Sequence, residues 1–221
     1  MIIADFGTSY TKILELTTPQ GEPVIIPTRD VPPDFRADMA SGHNGKRFST
    51  NYVNELVAMA RAGEELINEG DFILVDCGSR DIKFIRYKDH QLADMGWNAE
   101  CGASLGFSIE LLGRYYSLNF NQLPIAKQTF SVTCGVLGMS HIFDAVISGV
   151  SEAEAVASYI KGIAINAYRF VGSPDRLYLA GGLCDNSLFV HSLPCEVILL
   201  GRFVLLSGMT SIINKGNYPG G

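Results

Sequence analysis

Apolar positions fall into short blocks separated by polar, glycine-bearing turns, the pattern of a mixed α/β chain. Ile2-Ile3-Ala4 and the alternating Ile13, Leu14 and Leu16 flank polar Gly7-Thr8-Ser9, which predicts strand, tight turn and strand between Met1 and Thr17. A third strand is expected at Pro23 to Pro27. Pro32 to Arg47, rich in Pro, Gly, Asp and basic residues and without a period, reads as a loop or irregular connection. Val53, Leu56, Val57, Ala60 and Leu66-Ile67 recur at helical spacing and predict a helix from Tyr52 to Asn68, with Asn51 as N-cap and Gly70 beyond its end. Phe72 to Val75 is an apolar run closed by Asp76, and Ile82 to Tyr87 alternates after the turn Gly78-Ser79-Arg80. Helices are expected from Gly102 to Tyr116, from Gly135 to Ser148, and from Glu152 to Phe170, the last opened by Ser151 with Glu154 at capping-box spacing. Leu177 to Ala180 reads as a strand ending in Gly181-Gly182. A final helix is expected from Phe203 to Ile213, and the tail Asn217 to Gly221 is expected to fray.

The opening of the chain recurs inside it. Asp5-Phe6-Gly7-Thr8-Ser9-Tyr10-Thr11-Lys12 and Asp76-Cys77-Gly78-Ser79-Arg80-Asp81-Ile82-Lys83 both read apolar strand, Asp, any residue, Gly, polar turn, then Lys entering the next strand. Such a repeat points to two related halves. The expected division is 1–69 with 204–221 as one domain, completed by the C-terminal helix, and 70–203 as the other.

A turn of small residues lets backbone N–H groups approach a phosphate, and its hydroxyls and lysine add donors and positive charge. Gly7, Thr8, Ser9 and Lys12 in one copy, and Gly78, Ser79, Arg80 and Lys83 in the other, are the candidate phosphate contacts. The carboxylates Asp5 and Asp76 suit a hydrated magnesium ion, which keeps most of its waters. Either turn alone is more often an ordinary hairpin; two copies with a strand-terminal Gly-Gly form a more specific set. Gly181 and Gly182 would let a flat adenine or ribose lie against the backbone, and Asp185 or Asn186 could bond a nucleoside or simply cap a helix.

Composition removes several classes of function. In 221 residues, 47% are hydrophobic and 18% charged, enough for a sizeable core, and the net charge of −6 gives no basic footprint for nucleic acid or an anionic membrane. The opening Met-Ile-Ile-Ala-Asp lacks the charge and apolar length of an export signal, and no apolar run approaches bilayer length, so a cytoplasmic protein is expected. Five cysteines, an odd number, and no C-x-x-C pair argue against a disulfide framework or zinc ribbon. Cys77, Cys184 and Cys195 read as small buried hydrophobes. Cys101 and Cys134 each stand just before an expected helix, where the helix N-terminus stabilises a thiolate. Two ligands do not complete a four-cysteine iron–sulfur site, but a twofold dimer donating both from each subunit would. His43, His90, His141 and His191 have no metal-ligand spacing, and no G-x-S-x-G nucleophile motif occurs.

These residues resemble the activator ATPases of 2-hydroxyacyl-CoA dehydratases, the BadF/BcrA-type ATPase family of the actin and heat-shock chaperone superfamily, along nearly the whole chain. Asp5 to Lys12 is similar to the family's D-x-G-S-T-x-x-K loop, and Asp76 to Lys83 to D-I-G-G-Q-D-x-K. Cys101 to Glu110 is similar to C-A-A-G-T-G-R-F-x-[ED], Cys134-Gly135-Val136 takes the place of the second family cysteine, and Tyr178 to Asn186 is similar to the T-G-G-V-A-x-N strand and adenosine loop. The resemblance implies two actin-like (ribonuclease H-like) domains with a nucleotide cleft between them, and ATP and Mg as ligands. Asp5, Asp76 and Asp81 would be the catalytic carboxylates. It also implies a homodimer with one 4Fe-4S cluster held by Cys101 and Cys134 of both subunits. ATP binding would drive a domain closure that passes an electron, received from a donor such as ferredoxin or flavodoxin, to a dehydratase-like or reductase iron–sulfur enzyme.

The chain departs from the family pattern where Gly-Gly-Gln-Asp becomes Gly78-Ser79-Arg80-Asp81, E-S-E becomes Met139-Ser140-His141, and the Arg of G-R-F becomes Phe107. A cation replaces a neutral, water-positioning side chain. Two further readings therefore stand beside the activator: a nucleotide-binding regulatory relative with little turnover, and a small-metabolite kinase of the same superfamily.

Overall fold

The computed structural model describes residues 1–16, 21–99, 105–132 and 135–216. Cys101 and Cys134 lie outside the described residues, as do the expected start of the 102–116 helix and the tail from Asn217. Two compact units emerge: Met1–Leu74 with Ile85–Met95 and Arg202–Gly221, and Val75–Phe84 with Gly96–Gly201.

The fold is mixed α/β, as the sequence predicts, and the strands form two five-stranded sheets. The first sheet contains β1 (Ile2–Phe6), β2 (Tyr10–Glu15), β3 (Val24–Pro27), β4 (Ala37–Gly42) and β5 (Ser49–Tyr52) in the order β3-β2-β1-β4-β5. β1 pairs antiparallel with β2 and parallel with β4, which pairs parallel with β5. Thus the segment read as a loop holds a largely buried interior strand, followed by the short helix α1 (Gly45–Phe48). Ala37 to Gly42 is built mostly from small residues and has no β-branched one, so propensity does not mark it, and pairing to β1 and burial hold it as a strand.

Ala4, Phe6, Val31, Ala37, Ala40 and Phe48 form a core cluster at this sheet, with Phe6 stacked on Phe48 at 4.8 Å between ring centres. Helix α8 (Val204–Asn214) packs on β1, β2 and β4, and against α2 (Glu55–Leu66), which also packs on β4. A Cβ at Gly208 would lie 1.9 Å from the Ala58 carbonyl oxygen, so only glycine permits the two helix backbones to approach this closely. α2 starts later than the sequence suggests: β5 consumes Tyr52, Asn51 donates its side-chain amide to Asp38 O, and Asn54 caps the helix by accepting from Leu56 N at 2.9 Å.

The second sheet has the order β10-β9-β6-β7-β8, with β6 (Phe72–Cys77), β7 (Ile82–Lys88), β8 (Gln91–Asn98), β9 (Arg176–Ala180) and β10 (Glu196–Gly201). β8 and β10 were not expected. α3 (Leu105–Tyr115) and α6 (Glu152–Phe170) match the periodic segments, and Ser151 Oγ accepts from Glu154 N at 3.2 Å as its spacing predicts. The expected helix from Gly135 to Ser148 is instead two, α4 (Gly135–Gly138) and α5 (Ser140–Ile147), broken at Met139. Ser140 Oγ donates to Leu137 O, occupying a carbonyl that a continuous helix would use. A short α7 (Ser187–Ser192) follows the Gly-Gly loop. Among the described residues no helix is long and apolar enough to cross a membrane.

Candidate functional site

The first turn joins β1 to β2. Asp5 is in register with Lys12 across the strand pair, and their side chains meet, Lys12 Nζ donating to Asp5 Oδ2 at 2.6 Å with both groups largely buried. The lysine is thus held at the carboxylate that closes the strand, at the base of the turn. Thr8 at the tip is exposed. Thr28, absent from any motif, fixes the turn from outside: its N–H donates to Ser9 O at 2.9 Å and its hydroxyl to Gly7 O at 2.7 Å. Because that hydroxyl has one hydrogen, the 3.0 Å bond between Thr11 Oγ1 and Thr28 Oγ1 must use the Thr11 proton. Asp5 Oδ1 is buried and has no partner.

The second turn joins β6 to β7 and closes with Gly78 N donating to Asp81 O at 3.0 Å. Here Lys83 Nζ donates to Asp81 Oδ1 at 2.6 Å and lies 4.9 Å from the centre of the Trp97 ring. Trp97 Nε1 donates to the other oxygen, Asp81 Oδ2, at 2.9 Å. Both Asp81 oxygens therefore serve to hold neighbouring side chains. Arg80 projects from the turn and is exposed, while Asp76 and Lys83 are buried.

The Gly-Gly loop reaches this turn. Gly181 has φ +89°, and a Cβ there would stand 2.6 Å from both Asp76 Oδ1 and Cys77 O. The loop thus needs glycine for backbone conformation and for space. Gly182 is exposed and opens a 3-10 turn to Asp185. Asn186 spends its side-chain oxygen as the cap of α7, accepting from Phe189 N at 2.9 Å. Burial, reinforced by the Asp76 charge, raises the Cys77 thiol well above its ordinary value. Cys77 and Cys184 are the buried hydrophobes expected; Cys195 is only half-buried.

The second turn also holds a helix. Phe107 N, in the first turn of α3, donates to Ser79 O at 3.0 Å, and Gly106 lies against the Gly78 carbonyl. One residue further, Ser108 Oγ hydrogen-bonds the buried Tyr159 hydroxyl at 3.1 Å, and that hydroxyl donates to Gly135 O, the first residue of α4, at 2.6 Å. Ser79, α3, Tyr159 and α4 therefore form one connected set. Among the described residues no group of three or more His, Cys, Asp or Glu could hold a metal ion.

This is an actin-like α/β fold. No family model matches the sequence, and no curated protein matches it. Among solved structures, the chain is similar to the activator of 2-hydroxyisocaproyl-CoA dehydratase from Clostridium difficile with bound ADPNP, at TM-score 0.73 and 15% identity over 98% of this chain and 97% of that one. It is similar to component A of the (R)-2-hydroxyglutaryl-CoA dehydratase from Acidaminococcus fermentans, at TM-score 0.74 and 15% identity over 96% and 95%. A proposed 2-dehydro-3-deoxygalactonokinase from Sinorhizobium meliloti follows at TM-score 0.59 and 12% identity, covering 99% of each chain. At these identities the likeness is one of fold.

Proposed function

We propose that this chain is an ATP-dependent, iron–sulfur electron-transfer activator of a 2-hydroxyacyl-CoA dehydratase-like enzyme. The observation that carries the reading is the hydrogen-bonded connection from Ser79 in the second turn to the starts of α3 and α4. These helices follow the segments bearing Cys101 and Cys134 in the sequence. A change at a phosphate on that turn has a short, rigid route to both helix starts. The end-to-end likeness in fold to a dehydratase activator solved with ADPNP and to a dehydratase component A supports the same reading.

In this proposal Gly7, Thr8 and Ser9 offer backbone and hydroxyl donors to a polyphosphate, and Gly78 and Ser79 do the same from the second turn. Asp5 fits a hydrated Mg ion, because its Oδ1 is buried and lacks a donor that a metal-bound water would supply. Gly181 keeps the space beside Asp76 free of side chain. The cluster, held by Cys101 and Cys134 across a homodimer, would supply one-electron transfer from a ferredoxin- or flavodoxin-like donor to the partner enzyme. Arg80, exposed on the second turn where a water-positioning group is needed for hydrolysis, favours slow turnover and keeps the regulatory reading as the alternative.

The test is the colour, iron content and mass of protein purified without oxygen. A brown dimer with about four irons, bleached by Cys101→Ser or Cys134→Ser, is the expected result. A colourless, iron-free wild type that still binds ATP after anaerobic reconstitution would replace the activator with the regulatory relative.

A further inference from the structure

Two buried side-chain atoms in the first unit, Asp5 Oδ1 and Ser41 Oγ, have no hydrogen-bond partner, and they belong to residues 1% and 0% exposed. They are neighbours by construction of the sheet. β1 and β4 run parallel with Asp5 registered on Ser41, while on the opposite side Asp5 is registered on Lys12. Registered residues of adjacent strands project to the same face, and the strands lie about 4.8 Å apart. The face therefore carries a row, Lys12, Asp5, Ser41, in which Lys12 Nζ satisfies Asp5 Oδ2 while Asp5 Oδ1 and Ser41 Oγ stay unsatisfied.

We infer that Ser41 is a cation-positioning residue: its hydroxyl and Asp5 Oδ1 together seat the water shell of a divalent cation that arrives with a nucleoside triphosphate at the first turn. The inference rests on the nucleotide reading above. Native proteins rarely bury polar atoms of two neighbouring residues without partners, since each atom loses its bonds to water and gains none. A Ser41–Asp5 hydrogen bond would satisfy both, and they do not make one. A metal-bound water presents O–H donors, which match an acceptor-only carboxylate oxygen and a hydroxyl that can also accept. Magnesium suits the arrangement because it keeps several waters and takes few protein oxygens, the remainder coming from phosphate. No described cluster of carboxylates would hold such an ion without phosphate. Ser41 thus belongs to the cation's shell and not to the turn that touches phosphate.

The experiment is calorimetric titration of the full-length protein with ADPNP, once with magnesium and once with EDTA, for wild type, Ser41→Ala and Ser41→Thr. In wild type, magnesium should tighten ADPNP binding. Ser41→Ala should reduce that enhancement about tenfold, the scale of one hydrogen bond to a charged group, and leave metal-free affinity unchanged. Ser41→Thr, which keeps the hydroxyl, should retain the enhancement. Equal magnesium enhancement in wild type and Ser41→Ala would overturn the role of Ser41 and leave the nucleotide reading intact, meaning an ordered water alone fills the gap. A wild type that binds no ADPNP in either condition would overturn the nucleotide reading and the inference with it.

Discussion

The indole N–H of Trp97 donates to Asp81 Oδ2 at 2.9 Å while Lys83 holds Oδ1 at 2.6 Å, so a residue sixteen positions away in β8 completes the second turn. Asp81 is accordingly a positioning residue as much as a candidate catalytic one. Trp97→Phe keeps an aromatic face for Lys83 but leaves a buried carboxylate oxygen without its donor. The expected cost is about 1–3 kcal/mol, read as a lower denaturation midpoint, with weaker ADPNP binding. Trp97 is the chain's single tryptophan. Its emission should therefore shift when Mg·ADPNP is added to wild type, and an unchanged spectrum at saturating nucleotide would separate this turn from the binding site.

Gly181 is the residue whose replacement should be most selective. Alanine there must adopt φ +89° and place a Cβ within 2.6 Å of Asp76 Oδ1. The backbone term alone is about 1–2 kcal/mol, and the displaced Asp76 carboxylate adds a local effect. Gly181→Ala should fold with a reduced melting temperature and lose ADPNP affinity at least ~10-fold, the equivalent of 1.4 kcal/mol. Full affinity in a destabilised variant would show that the loop is structural only.

Tyr159 ties the start of α3 to the start of α4 through a single hydroxyl. Tyr159→Phe removes that tie with little change in volume, at a cost of about 1 kcal/mol. If the proposed cluster depends on the relation between these helices, the variant, purified without oxygen, should keep its nucleotide affinity and lose iron faster than wild type on exposure to air. Matching rates of iron loss would free the cluster proposal from any dependence on Tyr159.

The parts of the fold legible in the sequence were those where a local pattern and the tertiary environment agree. β1 and β6 are apolar runs closed by Asp, and α6 carries both its period and its Ser151 cap. β4 was hidden because Ala-Asp-Met-Ala-Ser-Gly looks like a loop, and its burial comes from pairing with β1. β10, Glu196 to Gly201, has no counterpart among the expected elements. The same limit applied to the site. Asp5, Asp76 and Gly181 announced themselves by position after a strand, whereas Thr28, Ser41 and Trp97 act through register and side-chain contact. No spacing rule relates those residues to the motifs they support. The two turns also differ where their shared spacing is silent: Lys12 bonds Asp5, and Lys83 bonds Asp81, which takes the place of Tyr10 in the first turn.

A pH-dependent contribution to stability is built into the first unit, where Tyr87 Oη donates to Glu64 Oε1 at 2.8 Å and Arg61 pairs with Oε2 at 2.9 Å. Burial opposes the Glu64 charge, but the bonds from Tyr87 and Arg61 outweigh it and hold the carboxyl below its ordinary value. The same contact, with burial as the larger cause, raises the Tyr87 phenol above its ordinary value. A depressed carboxyl stabilises the fold above its unfolded pKa and loses that contribution as pH falls through the folded one. A raised phenol stabilises below its unfolded pKa and loses it as pH rises. The stability difference between wild type and Tyr87→Phe should therefore be greatest between roughly pH 5 and 9 and shrink at both ends, as read from urea midpoints across the range. Tyr87 also stacks on Phe72 with ring centres 4.7 Å apart, a contact that phenylalanine preserves. A difference that stays constant from acid to alkali would assign the effect of Tyr87 to that packing and remove Glu64 from the account.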